Sequence, residues 1–262
     1  MILSPPRATF RQTYNARLAL AFVLLMAAVA VWLIGPQTGL NPQIVYAVMG
    51  ALVVLTAVFW VMIGKTVLTV HDEGVRCVTA FGTKELDWRQ VREYRYRVVP
   101  VQSGGGLIGY LLIAYARRRG GRAATTNLYL TLVGEDGKKI AVTSFYKDAY
   151  DAVGMILGSL HQALRPAIDA GVASTGAIFG PLRLTAREMQ WKQKEPVPLG
   201  ELMNAEIAGQ SLRIRKKGKM LSLVTVRSDK VPNVLLLLET MEKLGVGAGA
   251  ALPVDPLARV RT

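Results

Sequence analysis

The chain has 262 residues, and its 32 lysines and arginines against 18 aspartates and glutamates give a formal net charge of +14. Such an excess favours acidic partners, either anionic lipid headgroups or nucleic acid, and a solvated basic surface without a specific partner is the alternative. Cys77 is the only cysteine, which excludes an intrachain disulfide and is consistent with a reducing cytosol.

An uncharged stretch, Leu18–Gly64, lies near the N-terminus. It contains two apolar runs, Leu18–Ile34 and Ile44–Ile63, separated by a turn-rich segment at 35–43. As helices these runs would be roughly 25 and 30 Å long, so the first is near the lower limit for a bilayer span. Because hydrocarbon cannot hydrogen-bond a bare backbone, we expect a transmembrane helical hairpin. A buried globular hairpin and a cleavable signal peptide are the alternatives.

The charges beside the two apolar runs predict their orientation. Arg7, Arg11 and Arg17 precede the first run, and Lys65 follows the second, whereas the loop between the runs has no lysine or arginine. By the positive-inside rule, we expect a multi-pass protein of the cell (inner) membrane, with both termini in the cytoplasm and the loop outside.

From Thr66 onward, the apolar residues recur with a period of two, which is typical of β-strands. Short alternating runs separated by turn residues continue to residue 143. An apolar stripe of helical period follows at 149–164, with Asp148 as its expected N-cap and Pro166 as its expected end. The order is therefore several strands followed by one amphipathic helix.

The same order of patterns recurs in the C-terminal part. A Gly/Ala/Ser-rich segment at 168–180 is followed by further short strands and by a second apolar stripe, which Ser228 or Asp229 would cap. With an offset of 81 residues, Asp148 falls on Asp229, and two apolar helix positions also match. We interpret the C-terminal part as a divergent structural repeat of the first block.

Several segments resemble those of pleckstrin-homology-like (PH-like) domains. They are Thr66–Ala80, Glu85–Val91 with its aspartate–tryptophan pair, and the connections into the closing helices, Val142–Asp148 and Val226–Asp229. In this arrangement the chain is similar to bacterial membrane-anchored PH-like proteins, in which a two-helix hairpin precedes such domains. The resemblance implies a fold and a location at the membrane, and it carries over no catalytic residue.

The predicted fold class is membrane-anchored α+β. It consists of a transmembrane α-helical hairpin followed by two PH-like small β-barrel or sheet domains, each closed by a C-terminal helix. The predicted boundaries are an N-terminal arm and hairpin at 1–64, PH-like domain 1 at 65–166 with an insert at 102–126, a linker at 167–180, PH-like domain 2 at 181–245 and a flexible tail at 246–262.

Two basic runs are the candidate binding sites. One lies in the insert, where a loop could dip apolar side chains into the membrane interface while its arginines bind lipid phosphates. These arginines are Arg117, Arg118, Arg119 and Arg122. The other run has the form of an exposed hairpin tip, with lipid- or phosphate-binding candidates at Arg213, Arg215, Lys216, Lys217 and Lys219. A glycine-hinged cover over the sheet and a solvated tip are the respective alternatives.

Catalytic and metal-binding patterns are missing from the sequence. His71, His161 and Cys77 are too few for a metal site, and both histidines are expected to be solvated. The glycines at 104, 106 and 109 have GxGxxG spacing but lack the strand–helix context of a dinucleotide site. We therefore expect no catalytic residue, no metal and no cofactor, and the chain is not expected to be an enzyme.

The predicted function is a membrane-anchored binding or scaffolding protein that presents two cytosolic PH-like domains at the membrane surface. Its expected partners are a lipid bilayer crossed by two spans, anionic lipid, and a further protein. A membrane-bound enzyme with an unrecognised site and a nucleic-acid-binding membrane protein are the alternatives. Nucleic acid is disfavoured because strand alternation in Tyr94–Arg97 places the rings and the charges on opposite faces.

Overall fold

The computed structural model describes residues 4–12, 41–100 and 126–248, and between 13 and 40 it describes residues 21, 24, 26–29, 31–33 and 37. The contacts between residues divide the chain into two compact units. Unit 1 comprises Met1–Glu85 and Phe145–Lys147, and unit 2 comprises Leu86–Ser144 and Asp148–Thr262.

Unit 1 contains helix α1 (Pro42–Gly64) and a four-stranded sheet. In sheet order the strands are β1 (Ala8–Arg11), β2 (Val67–Val70), β3 (Gly74–Thr79) and β4 (Gly82–Asp87), of which the last continues into unit 2. Strands β1 and β2 pair antiparallel, from Ala8 opposite Val70 to Arg11 opposite Val67. The chain therefore leaves this sheet before α1 and returns to the neighbouring strand after it.

Helix α1 begins at a strong start signal. The side-chain oxygen of Asn41 accepts the N–H of Gln43 at 2.9 Å, and its carbonyl accepts the N–H of Ile44 at 2.9 Å. Pro42 occupies the first helical position, where a missing N–H leaves no bond unmade. The helix has 23 residues and no charged side chain. Most of its large apolar side chains are exposed, namely Ile44, Tyr46, Val48, Val53, Val54, Leu55, Val58, Phe59 and Val61.

The prediction of a two-helix transmembrane hairpin is wrong. Among the described residues, one helix is long and apolar enough to cross a membrane, at Pro42–Met62. The first apolar run, Leu18–Ile34, would give about 25 Å of helix, less than the ~30 Å thickness of the hydrocarbon core. No second spanning helix is found among the described residues of this run.

Unit 2 contains three sheets and two helices. The first sheet has the order β5 (Val91–Pro100), β6 (Thr126–Gly134), β7 (Lys139–Thr143). The second has the order β11 (Val197–Pro198), β10 (Glu188–Trp191), β9 (Leu182–Leu184), β8 (Ala177–Phe179). The third has the order β14 (Ser222–Arg227), β13 (Ser211–Lys216), β12 (Leu202–Ala208), β15 (Gly247–Ala248), with β15 parallel to β12. The helices are α2 (Ala149–Ala173) and α3 (Val234–Lys243).

The prediction of small β-barrels is also wrong, because the sheets formed by the described residues are all open. A barrel requires its first strand to pair with its last, and about eight strands enclose an interior that side chains just fill. Sheets of three or four short strands cannot curl so far. In unit 2 they bury their apolar faces against helices instead. The inner face of α2 consists of Ala149, Ala152, Val153, Ile156, Leu157 and Leu160.

Helix α2 is longer than the sequence pattern predicts. Pro166 was expected to end it, yet the helix continues to Ala173. The ring of Pro166 leaves the carbonyl of Gln162 without its helical partner, and both residues are exposed, so water can bind that carbonyl. The segment predicted as a linker therefore contains the last turns of α2 and strand β8. The division into two PH-like domains stays a prediction.

The two helices of unit 2 are preceded by elements in the same order. A 3-10 turn stands before β5 at Trp88–Gln90 and before β12 at Leu199–Glu201, and three antiparallel strands and a helix follow each turn. A residue in the left-handed conformation precedes each helix, Asp148 with φ 56° before α2 and Asn233 with φ 54° before α3. The counterpart of Asp148 is therefore Asn233.

The offset of 81 residues expected for the repeat is wrong at this point. It placed Asp229 at the start of the closing helix, but Ser228–Lys230 forms a separate 3-10 turn, and α3 begins at Val234. The additional turn shifts the helix by a few residues without changing the order of the elements.

Candidate functional site

The structure gives positions for one of the two predicted basic runs. Arg117, Arg118, Arg119 and Arg122 lie outside the described residues, and the lipid-contacting loop predicted there stays a prediction. The second run lies on β13 and in the turn that follows it. Its members are Arg213, Arg215, Lys216, Lys217 and Lys219.

Two members of the second run are bound to carboxylates. Arg215 lies 3.2 Å from Glu206 of the neighbouring strand β12, and Lys216 lies 2.5 Å from Glu201. These ion pairs hold the end of β13 in its sheet and reduce the charge that these two side chains offer to a ligand. Arg213 is exposed on the same strand.

The turn between β13 and β14 carries the remaining charge. Gly218 has φ +69°, a conformation that favours glycine, and it lies between the exposed residues Lys217 and Lys219. Met220 is 100 % exposed and Leu221 is 84 % exposed. We call Lys217–Leu221 the β13–β14 tip. It combines two exposed cations with two exposed apolar side chains.

The apolar half of the β13–β14 tip is not predicted by the sequence pattern. Met220 and Leu221 directly precede strand β14, which begins at Ser222, and both side chains are exposed. The sequence signal that could have identified them is their position directly after the cationic turn. Cations beside exposed apolar side chains are typical of surfaces that contact the membrane interface.

A second basic surface lies on the outer face of the β5–β6–β7 sheet, and sequence analysis did not identify it as a site. A cavity of about 390 Å³ opens there. It is lined by five cations, two carboxylates, two hydroxyl groups and a valine, namely Arg92, Arg95, Arg97, Lys139, Lys230, Glu93, Asp229, Tyr129, Thr131 and Val133. We call this surface the basic face. Its formal charge is positive.

The basic face results from the alternation of side chains along β5. Tyr94 and Tyr96 are fully buried on the inner side, whereas Arg95 is exposed and Arg97 is half-buried on the outer side. The predicted separation of rings and charges in this strand is confirmed. The same alternation that buries the rings brings the arginines together on the outer face of the sheet.

A buried polar network lies on the inner side of β5. The hydroxyl of Tyr94 is 2.9 Å from Nε2 of His161, and Nδ1 of His161 is 3.2 Å from Glu239. Arg165 donates to the same carboxylate, and the N–H of Leu236 donates to the Tyr94 hydroxyl at 3.3 Å. The expectation that His161 is solvated is therefore wrong.

His71 is also buried, contrary to expectation. In unit 1 its Nδ1 lies 2.7 Å from the carbonyl of Ser4, and its Nε2 lies 3.2 Å from the hydroxyl of Thr69. Both ring nitrogens are thus used in local hydrogen bonds. This environment accounts for a histidine in a turn that is not solvated.

The buried network has the connectivity of a hydroxyl activated by a histidine and a carboxylate, but it cannot act on a substrate. Tyr94 has no exposed surface, and burial raises the pKa of its hydroxyl far above the ordinary value. A phenol that stays protonated and out of reach is not a nucleophile. The network instead joins β5, α2 and α3 by hydrogen bonds, with every member satisfied.

The backbone of Tyr94 strengthens this connection. Its N–H donates to the side-chain oxygen of Asn233 at 2.9 Å, and its carbonyl accepts the N–H of Asn233 at 2.8 Å. Asn233 thereby occupies part of the free edge of β5, while its left-handed backbone starts α3. The first and second blocks of strands in unit 2 are joined through this residue.

The described residues contain no group of three or more histidine, cysteine, aspartate or glutamate side chains arranged to hold a metal ion. The donors at the basic face and at the β13–β14 tip are cations and hydroxyl groups, which bind anions. No protein-family model matches this chain, and no curated protein matches it.

Proposed function

We propose that this chain is a membrane-anchored binding protein, held to a bilayer by α1, whose role is to bind anionic lipid and a protein partner rather than to catalyse a reaction. The observation that carries the proposal is the exposure of α1. Its segment Pro42–Met62 contains no charge, and Val45 is the one side chain of this segment that is buried in the described part of the chain.

Lipid is the environment that suits such a helix. Its backbone groups bond within the helix, as a hydrocarbon environment requires, whereas its exposed side chains in water would each forgo about 25 cal/mol per Å² of burial. The helix is roughly 34 Å long at 1.5 Å per residue, enough to cross ~30 Å of hydrocarbon. Tyr46 near its start and Trp60 near its end have rings that favour the membrane interface.

The cytosol is the proposed side for the paired strands of unit 1. Lys65 directly follows α1, and Arg7 and Arg11 flank β1. By the positive-inside rule, Lys65 places the end of α1, and strand β2 that follows it, on the cytosolic side. The buried single cysteine is consistent with a reducing compartment.

The β13–β14 tip is the proposed lipid contact. Each lysine near an anionic surface contributes about 1 kcal/mol, and the attraction decays within about 8 Å at physiological ionic strength. Met220 and Leu221 would add apolar area in the interface, where each could bury most of its exposed surface. Anchoring by α1 makes such a weak contact effective, because it raises the local concentration of lipid.

The repeated order of elements in unit 2 supports a divergent structural repeat as part of this proposal. A 3-10 turn, three antiparallel strands, a left-handed residue and a helix occur twice in the same order. The order of elements by itself does not specify a ligand.

The two rival functions receive less support. The described polar network that resembles a catalytic relay is closed to substrates by the burial of Tyr94. Binding of single-stranded nucleic acid needs aromatic rings on which bases can stack, but Tyr94 and Tyr96 are buried beneath the arginines of the same strand.

The proposal predicts that the β13–β14 tip enters the interface of anionic membranes. The full chain with Cys77→Ser and Met220→Cys would carry an environment-sensitive dye at position 220, in vesicles with and without phosphatidylserine. We expect blue-shifted emission in the anionic vesicles only, decreasing as salt is raised, because the lysines bring the tip to the surface. Replacing Lys217 and Lys219 by glutamine should reduce the shift severalfold.

Two controls make this experiment specific. The same dye at Glu135→Cys, in the acidic turn between β6 and β7, should show no lipid-dependent shift. Glutamine at Lys192 and Lys194, an exposed pair of the same spacing, should leave the shift at position 220 unchanged. Equal emission of the two dye positions, or no response to anionic lipid, would remove the tip from the proposed function.

A further inference from the structure

We propose that the basic face binds a phosphate monoester carried on a small organic body, supplied either as a soluble phosphorylated compound or as a lipid headgroup. This site is separate from the β13–β14 tip and from the proposed anchoring by α1. It rests on the geometry of the outer side of the β5–β6–β7 sheet.

The strand register brings cations and hydroxyl groups together. Arg95 lies opposite Thr131, and Arg97 lies opposite Tyr129, on the antiparallel strands β5 and β6. Because alternate residues of a strand share one face, the two arginines lie on the same side, about 7 Å apart along the strand. Lys139 of β7 lies beside Val133 at one end of this arrangement.

The guanidinium of Arg97 is already oriented by a neutral partner. Its Nε and Nη2 atoms donate to the side-chain oxygen of Gln210, at 3.1 and 2.7 Å. An amide oxygen fixes the group without neutralising its charge. Two of the five N–H donors of the arginine are used in this way, so donors remain for a ligand. Fixing a binding group in advance lowers the entropy lost when a ligand binds.

The carboxylates of the cavity do not neutralise its charge. Glu93 accepts from Arg95 at 2.9 and 3.2 Å. Asp229 lies 4.0 Å from Arg97, but it accepts two hydrogen bonds from Arg227, at 3.0 and 2.5 Å. Among the described residues that line the cavity, five cations and two carboxylates leave a formal excess of three positive charges.

Phosphate fits these donors better than carboxylate does. Two guanidinium groups and two hydroxyl groups offer more hydrogen bonds than the two oxygens of a carboxylate can accept in one place, whereas a phosphate monoester has three terminal oxygens. The planar donor fork of arginine also matches phosphate geometry.

The size of the cavity indicates that the ligand is more than a bare phosphate ion. A volume of about 390 Å³ lies in the range of sites for small organic molecules. Tyr129 is 39 % exposed and lies next to Arg97, where its ring offers a flat surface to the body of the ligand. A sugar phosphate, a nucleotide or a lipid headgroup has the required combination of anion and body.

Titration of the full chain in neutral phosphatidylcholine nanodiscs, followed by calorimetry at low salt, would test this site. The probes are inorganic phosphate, ribose 5-phosphate, and dihexanoyl phosphatidic acid as a soluble lipid headgroup, with acetate as the carboxylate control. We expect at least one phosphate ester to bind more tightly than inorganic phosphate, and acetate to bind at least tenfold more weakly. The ester that binds identifies the source of the ligand.

Variants separate this site from general attraction to a basic protein. Arg97→Gln should weaken binding about tenfold or more, since hydrogen bonds to charged groups are the strong ones. Tyr129→Phe should weaken it severalfold, whereas Arg187→Gln, which removes an equal charge from an exposed turn of the same unit, should have no effect. Unchanged thermal unfolding would show that the variants fold.

Three results would overturn the proposal. They are no binding of any phosphate probe, equal weakening by Arg97→Gln and Arg187→Gln, or acetate binding as tightly as the phosphate esters. None of these results bears on insertion of the β13–β14 tip, which is measured separately with the dye at position 220.

Discussion

Tyr94 joins strand β5 to both helices of unit 2 by hydrogen bonds that the sequence pattern does not predict. Its hydroxyl bonds to His161 of α2, its backbone N–H and carbonyl bond to Asn233, and Leu236 of α3 donates to its hydroxyl. One residue, through its side chain and its backbone, thus connects β5 with α2 and α3, which are distant from it in sequence. The charged end of this network is Glu239, which Arg165 and His161 hold.

Glu239 should make the stability of the chain depend on pH. Burial alone would raise its pKa, but the hydrogen bond from His161 and the charges of His161 and Arg165 outweigh burial and hold this pKa below the ordinary 4.5. A carboxyl group with a lowered folded-state pKa stabilises the fold fully above the unfolded value, and this contribution is lost as pH falls through the folded value.

We therefore expect Glu239→Gln to lower the free energy of unfolding by about 1–3 kcal/mol at pH 7, and by much less near pH 3. Urea unfolding of the full chain in detergent, measured from pH 7 to pH 3, would show this. Glu242→Gln, an exposed residue of the same helix, serves as control and should change little at either pH. A pH-independent difference between wild type and Glu239→Gln would rule out the ionised network.

Burial of His161 could not be predicted from the sequence. The helical stripe of α2 is predictable because its period is local, and His161 lies directly beside Leu160 of that stripe. The partners that make burial of His161 favourable, Tyr94 and Glu239, are far away in the chain. No local pattern could indicate that a polar side chain on the helix would find them.

At the scale of elements, close packing of a turn of unit 2 can be tested directly. Gly180, between β8 and β9, has φ +61°, and a methyl group there would lie 2.8 Å from Cδ of Pro232 and 3.1 Å from the carbonyl of Lys230. Gly209, between β12 and β13, has nearly the same φ, +62°, but has open space around the equivalent position. Alanine at Gly209 therefore measures backbone strain alone, whereas alanine at Gly180 measures backbone strain together with steric contact.

Gly180→Ala should lower the free energy of unfolding by about 2–4 kcal/mol, because it adds overpacking to the unfavourable left-handed backbone. Gly209→Ala should lower it by about 1 kcal/mol, from the backbone alone. Urea unfolding midpoints of the two variants and the wild type provide the measurement. Equal effects of the two substitutions would show that the loop around Pro232 moves aside, and that the packing described here does not constrain the fold.

The repeat in unit 2 illustrates what order of elements predicts and what it does not. The succession of strands and an amphipathic helix is readable from hydrophobic period alone. The exact counterpart of Asp148 cannot be read in this way. Asn233, which starts α3, has a left-handed backbone and hydrogen bonds to Tyr94, and its side chain does not cap the helix. Asn233 tolerates that conformation better than most residues do.

At the scale of the whole molecule, the uncharged stretch Leu18–Gly64 was interpreted correctly in its second half and wrongly in its first. Uncharged length correctly indicated an exposed apolar helix at Pro42–Met62. The absence of charge did not show that the other run, Leu18–Ile34, is too short. As a helix of about 25 Å it is several Å shorter than the hydrocarbon core. The number of strands needed to close a barrel was likewise not readable from alternation, because alternation is the same in open and closed sheets.

The described basic residues of unit 2 form two separate surfaces. The basic face and the β13–β14 tip both lie in unit 2, and each combines cations with a side chain suited to a second contact, Tyr129 in one and Met220 in the other. We expect the two surfaces to act independently. Variants of one should leave binding at the other unchanged, within the limits of additivity for distant sites.

Anchoring by α1 is the central claim, and an alkaline carbonate wash of membranes from cells that express the full chain tests it most directly. The account predicts that the wild type stays with the membranes, because α1 has no charged residue. Each charged residue at the centre of a membrane helix would cost about 3 kcal/mol of insertion free energy. Val53→Asp with Val54→Asp, both on exposed positions of α1, should release the chain into the supernatant, whereas Ile178→Asp, an equally exposed apolar position on β8, should not. Release of the wild type, or retention of the doubly charged variant, would contradict the account.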